Sequence, residues 1–254
     1  MTASATATRI GSIALIAALI LLWWLAAISG VLPRAFFPNP VDAFREAADG
    51  LLGGDLGAQL AATVWRMIQG WLLAGLVGVA LGAMIGISAT VRAYLQPTLE
   101  FLRPLPASAV IPIAISILGL SSPMALSVII FGSIWPTLLS TVHGFATVDV
   151  RLREVARCYR MSRLQFIYKI GIPNALPDIF AGLRLSLTIS LILAVVCEML
   201  ASQIGLGTAI LQAARSFRSA ELFAGMLFLG LIGLAGDFSL RQVERRMLAW
   251  KNVN

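Results

Sequence analysis

Residues 104–148 read PLPASAVIPIAISILGLSSPMALSVIIFGSIWPTLLSTVHGFATV, 45 consecutive positions without a charged side chain. A helix needs roughly 20 residues to cross about 30 Å of hydrocarbon, so this stretch is long enough for two crossings. Gly119, Ser121, Ser122 and Pro123 supply the turn between them. Further charge-free runs lie between Arg9 and Arg34 and between Arg66 and Arg92. Over all 254 residues, 59% are hydrophobic and 12% are charged. A soluble domain carries about 25% charged residues, so this chain has too few to cover a water-facing surface. It reads as an all-α polytopic membrane protein with six transmembrane helices.

Working outward, residues 10–32 form the first span. The run is too long for the apolar core of a signal peptide, and Trp23 and Trp24 lie toward its far end, where interfacial aromatics gather. Residues 33–55 hold Pro33, Pro38 and Pro40 and read as an extramembrane loop. A short helix is expected near residues 41–52, capped by Asn39 or Asp42. The second span covers residues 60–88, with Arg66 at its outer end. In it Gly78, Gly82 and Gly86 recur every fourth position and allow a close helix approach, within one subunit or at a subunit interface. Spans three to six fall at residues 101–120, 124–143, 179–201 and 222–240.

Six spans put both termini on one side, and the basic residues say which. With the N-terminus inside, twelve lie clearly in the cytoplasm: Arg9, Arg92, Arg151, Arg153, Arg157, Arg160, Arg163, Lys169, Arg241, Arg245, Arg246 and Lys251. Arg34, Arg45, Arg66, Arg215 and Arg218 lie outside, and Arg103 and Arg184, near span ends, are counted on neither side. The bias predicts both termini in the cytoplasm. The formal net charge of +7 is thereby accounted for by loops, without nucleic acid as a partner.

Several chemistries are excluded. Cys158 and Cys197 stand far apart and form no CxxC pair. His143 alone cannot build a histidine-rich metal site. Neither lysine, Lys169 or Lys251, sits in a GxxxxGK[ST] loop, so the chain has no P-loop for ATP. His143 and Cys197 read as structural, and no paired-carboxylate or nucleophile motif stands out.

The segment 149–178 collects six of the twelve inside cations. Leu152, Val155, Ala156 and Tyr159 fall at helical spacing, and Phe166, Ile167 and Ile170 begin a second stripe. Two short amphipathic helices are expected, with Pro173 and Pro177 punctuating entry into the fifth span. Such helices fit two settings equally: an anionic membrane surface, or a groove on a cytosolic partner.

Glu154-Val155-Ala156 and, further on, Ile170-Gly171-Ile172-Pro173 resemble the EAA loop of binding-protein-dependent ABC importer permeases. That pattern is approximately Glu-Ala-Ala, three residues, Gly, nine residues and Ile/Leu-x-Leu-Pro. Ser162, Arg163 and Gln165 match a frequent continuation, while Arg160 stands where the family has glycine. Arginine fits there only if the turn avoids left-handed dihedrals or the helix runs through it. Gly182-Leu183-Arg184, Glu198-Met199-Leu200, Gly205-Leu206-Gly207, residues 223–226 and residues 97–106 extend the likeness to about residues 63–250. It is closest to the branch handling nitrate, sulfonate, taurine and related small nutrients.

The resemblance implies a type I importer (MetI-like) transmembrane domain over residues 60–254, with a coupling segment at 149–178, preceded by a helix and periplasmic loop over residues 1–59. It implies a non-catalytic permease in the bacterial inner membrane, working as a homodimer. Expected partners are two copies of a separate ATPase, which carries the ATP and Mg, and a periplasmic or lipid-anchored substrate-binding protein. No cofactor is expected in the chain itself. Glu154, Val155, Ala156, Tyr159, Arg160, Ser162 and Gln165 are the candidate ATPase-coupling residues. For the translocation path the candidates are Ser108, Ser116, Ser133, Thr137, Ser186, Ser190 and Glu198. Ser133 and Thr137, like Ser186 and Ser190, are four apart and share a helix face. Hydroxyls there suit either solute passage or bonds between helices. Arg184 and Glu198 lie fourteen residues apart, about 21 Å along a helix, so each needs another partner. The rival readings are a stand-alone channel or secondary transporter with surface-lying basic helices, and an intramembrane enzyme.

Overall fold

The computed structural model describes residues 2–30, 33 and 36–249. These residues form helices α1 (Thr2–Ile28), α2 (Pro40–Leu52), α3 (Leu56–Ile87), α4 (Ala89–Leu102), α5 (Ala107–Leu118) and α6 (Ser122–Ala146). There follow α7 (Val150–Cys158), α8 (Arg163–Phe166), a π turn over Ile167–Gly171, α9 (Ile172–Ala201), α10 (Leu206–Arg215) and α11 (Ser219–Met247). No strand occurs among the described residues.

Local chemistry sets the helix starts. Asn39 caps α2 by accepting from the Val41 N–H at 3.1 Å, with Pro40 in the first turn. Ser88 and Ser121 accept from Val91 and Met124 in the same way and open α4 and α6. These caps mark where an apolar run is interrupted without any charge.

Four helical stretches are long and apolar enough to cross a membrane: Leu56–Ile87, Ser122–Ala146, Leu164–Ala201 and Ser219–Met247. The expected third span, residues 101–120, is not one helix. The chain bends by 90° between residues 90–102 and Ala107–Leu118. Arg103, just before Pro104, keeps helical dihedrals, and the chain leaves the helix at Pro106, whose extended backbone (φ −67°, ψ 125°) opens α5; neither proline has an N–H to continue the helical bonding. Counted as one crossing, the bent pair raises the number to five. α1 adds a shorter apolar helix over Ala14–Ile28. The last two positions of the expected first span lie outside the described residues, as do Arg34 and Lys251.

The fifth span is also different from the expectation. Pro173 and Pro177 do not separate it from the preceding segment, because the helix runs from Leu164 to Ala201. Ile172 N–H donates to the Ile167 carbonyl, a π-type bond that widens the turn just before the prolines. Pro173 then occupies the first turn of α9, where a missing donor costs little. The second amphipathic helix is thus a single turn, α8, continuous with the span.

The centre of the fold is α3, α6 and α9 packed side by side. A Cβ built on Gly82 would lie 2.6 Å from Thr141 Cβ and 2.8 Å from the Leu138 carbonyl. One on Gly86 would lie 2.6 Å from Phe145 Cβ, and one on Gly78 3.2 Å from Thr137 Cβ. The glycine row therefore packs on α6 within the same chain. Met67, Ile111, Met124, Val128, Ile129 and Leu206 fill the buried core beside it. Outward, Leu76, Leu185, Ile192, Leu234 and Phe238 are exposed, as suits contact with hydrocarbon.

Candidate functional site

Asp149 opens α7 by accepting from Arg151 N–H at 2.8 Å. Ala156 is the residue of this helix that is buried. The rest of the expected stripe is not: Leu152 is 42%, Val155 45% and Tyr159 77% exposed. Glu154 is exposed as well. α7 is held to the body by Arg153, whose Nη2 donates to the Ala146 carbonyl at 3.0 Å. Outside the spans, this short helix therefore presents apolar and charged side chains together.

The turn after α7 corrects the expectation for Arg160. Its φ is +50°, in the left-handed region that favours glycine. Met161 N–H donates to Ala156 O at 2.9 Å and Arg160 N–H to Arg157 O at 3.0 Å. These two bonds make a Schellman cap with Arg160 at the position usually given to glycine. The turn keeps the glycine geometry and the arginine adopts it. The next helix starts with a reciprocal capping box. Gln165 N–H donates to Ser162 Oγ at 3.2 Å, and Ser162 N–H to Gln165 Oε1 at 2.9 Å. Ser162 and Gln165 therefore shape the segment itself. Asn174 Nδ2 then donates to the Gly144 carbonyl at 2.9 Å, tying the start of α9 to the end of α6.

Of the hydroxyls expected on a path, Ser133, Thr137, Ser186 and Ser190 are fully buried inside this chain. Ser186 Oγ donates to the Ser133 carbonyl at 2.6 Å, a bond from α9 to α6. Ser133 and Ser190 donate within their own helices, to Ile129 O and Leu187 O. Thr137 Oγ1 has no partner among the described residues. Ser108 and Ser116 are exposed on α5. The two groups of hydroxyls are not brought together.

Glu198, near the end of α9, is fully buried and central to a polar network. It forms an ion pair with Arg66 of α3, and its Oε2 accepts from Thr63 Oγ1 at 3.0 Å and Gly207 N–H at 2.9 Å. Thr63 Oγ1 in turn accepts from Leu206 N–H at 2.8 Å. The carboxylate lies at the N-terminus of α10, where backbone N–H groups and the helix dipole favour negative charge. Gly205 and Gly207 are shaped around it: a Cβ on Gly205 would overlap Glu198 Cδ, and one on Gly207 would overlap the Val195 carbonyl. Arg184 finds its partners on α11, in Glu244 and, at 3.4 Å, Asp237. Nothing in the sequence marks Thr63 and Arg66 as members of this site. The nearest signal is a glutamate followed by Gly205-Leu206-Gly207.

Long apolar helices around a glycine-packed centre, with one exposed amphipathic helix between spans, define a multi-pass helical membrane protein. The chain belongs to the family of binding-protein-dependent transport system inner membrane components, whose model matches residues 76–249. It is 33% identical over 236 residues to SsuC of Bacillus subtilis (strain 168), a transport permease protein named for aliphatic sulfonates, covering 93% of this chain and 86% of that one. It is 33% identical to the nitrate import permease protein NrtB of Synechocystis sp., covering 87% and 82%. With the bicarbonate transport system permease protein CmpB of Synechococcus elongatus it shares 28% identity, over 90% and 86%. The chain is a type I ABC importer permease of the nitrate/sulfonate branch, set in the inner membrane.

Proposed function

We propose that this permease forms the translocation path for a small oxygen-bearing polar solute, such as a sulfonate, taurine or nitrate. Two copies of the chain make the path, both termini lie in the cytoplasm, and residues 149–178 dock a separate ATPase that binds ATP and Mg. A binding protein outside the membrane delivers the solute. Relatives named for sulfonate, nitrate and bicarbonate transport support the solute class, since all three carry a compact negatively charged oxygen group.

The observation that carries the docking is the exposure of Leu152, Val155 and Tyr159 on a helix whose one buried member is Ala156. Exposed apolar residues at helical spacing, lying outside the spans, fit a groove on a partner. Glu154, on the same helix, offers the charge contact. On the path, Ser108 and Ser116 are favoured as solute-facing groups by their exposure on the short helix after the bend. Ser133, Thr137, Ser186 and Ser190 serve packing between helices.

Co-purification with the ATPase tests the docking. Glu154→Arg is expected to abolish the complex while membrane insertion continues. Intact complex formation and ATP-driven uptake in that variant would refute it.

A further inference from the structure

Where α3, α6 and α7 meet, a cavity of about 460 Å³ opens. Ile87, Phe145, Met161 and Phe166 give it apolar walls, and Arg153 and Arg157 reach it from α7. Being four apart, these arginines share one face of the helix. Arg153 is fixed by its bond to Ala146, which uses one of its five N–H donors. The Arg157 guanidinium has no partner among the described residues. Arg92 donates to the carbonyls of Gly86, a lining residue, at 2.7 Å, and Ile85, at 3.4 Å. No carboxylate lines the cavity among the described residues.

The cavity sits at the ends of two spanning helices, Leu56–Ile87 and Ser122–Ala146. That is the depth at which a bilayer carries its headgroups. We propose that it binds the phosphodiester headgroup of an anionic phospholipid. Arg153 and Arg157 take the phosphate oxygens through charge-assisted hydrogen bonds, and the apolar walls receive the first carbons of an acyl chain. A free inorganic anion has no use for such walls, and a zwitterionic lipid brings its phosphate together with a cation that paired arginines repel; basic pockets between spanning helices suit acidic headgroups. The inference rests on the membrane-spanning reading and is independent of ATPase docking.

Native mass spectrometry of the delipidated permease, incubated with phosphatidylglycerol or phosphatidylcholine, tests it without the ATPase. Phosphatidylglycerol is expected to be retained and phosphatidylcholine not. Arg153→Gln with Arg157→Gln should weaken retention about 30-fold, about fivefold for each arginine. Arg157→Gln alone gives a second measure, because no hydrogen bond or ion pair within the described residues depends on that guanidinium. Arg151→Gln, with the same charge loss on another face, should leave retention unchanged. Equal retention of both lipids, or unaltered retention in the Arg153 and Arg157 variants, overturns the proposal. So does displacement of the lipid by millimolar inorganic phosphate, which would make the site one for the free ion.

Discussion

Thr63 and Glu198 stand 135 positions apart, and their side chains meet at 3.0 Å inside the protein. Arg66, one turn beyond Thr63, pairs with the same carboxylate, and Gly207 donates its backbone N–H to it. One acidic group therefore holds together α3, α9 and the start of α10. Removing one partner of such a buried pair leaves the other charged and unsatisfied, at a cost of about 3–5 kcal/mol.

Glu198→Ala is accordingly expected to lower the apparent melting temperature of the detergent-purified permease sharply. Arg66→Leu combined with Glu198→Leu should recover much of that loss, because no charge is left stranded. A double variant as unstable as the single one would show that the ion pair is not what Glu198 contributes.

Gly205→Ala addresses the same carboxylate from the other side. Its new Cβ would overlap Glu198 Cδ, so the carboxylate must leave its place. Overpacking of this kind costs about 1–3 kcal/mol. The cost should nearly vanish in a Glu198→Ala background, and equal penalties in both backgrounds would disprove the clash.

At Arg160 the backbone conformation predicts an unusual gain from substitution. A non-glycine residue held left-handed costs about 1–2 kcal/mol, part of which glycine returns as unfolded-state entropy. Arg160→Gly should stabilise the turn by about 0.5–1 kcal/mol, and Arg160→Val should destabilise it. Hydrogen exchange at the α7 amides reads the order directly: slowest for glycine, fastest for valine.

Two glycines in spanning helices should behave oppositely. Gly82→Ala drives a Cβ into Thr141 and the Leu138 carbonyl, and should cost about 1–3 kcal/mol. A Cβ on Gly230 would have nothing within 4 Å of it. Gly230→Ala should gain about 0.5–1 kcal/mol of helix propensity. Melting temperatures of the two variants, measured side by side, settle the point.

The contrast between legible and hidden features follows from range. The charge-free run at residues 67–91 and the second half of the run at 104–148 give spans directly, because hydrocarbon length is a local requirement. The cap at Asn39 and the glycine row are readable for the same reason. The bend at Pro104 and Pro106 is not, because a proline pair is also found inside continuous spans. The helical continuity through Pro173 and Pro177 depends on a π turn that composition does not announce. The buried hydroxyls and the Glu198 partners are hidden most deeply. Period places a serine on a face, but which neighbour that face meets is decided by distant contacts, 53 residues apart for Ser186 and Ser133 and 135 for Thr63 and Glu198.

The unbroken helix Leu164–Ala201 has a mechanical meaning of its own. Its 38 residues make a rod roughly 57 Å long. A tilt of about 5° at one end carries the other end about 5 Å sideways on that length. The capping box at Ser162 and Gln165 stands at one tip and Glu198 at the opposite one. One continuous helix therefore ties the exposed tip of this subunit to its buried carboxylate, so that a change of direction at one end is carried along a single backbone toward the other.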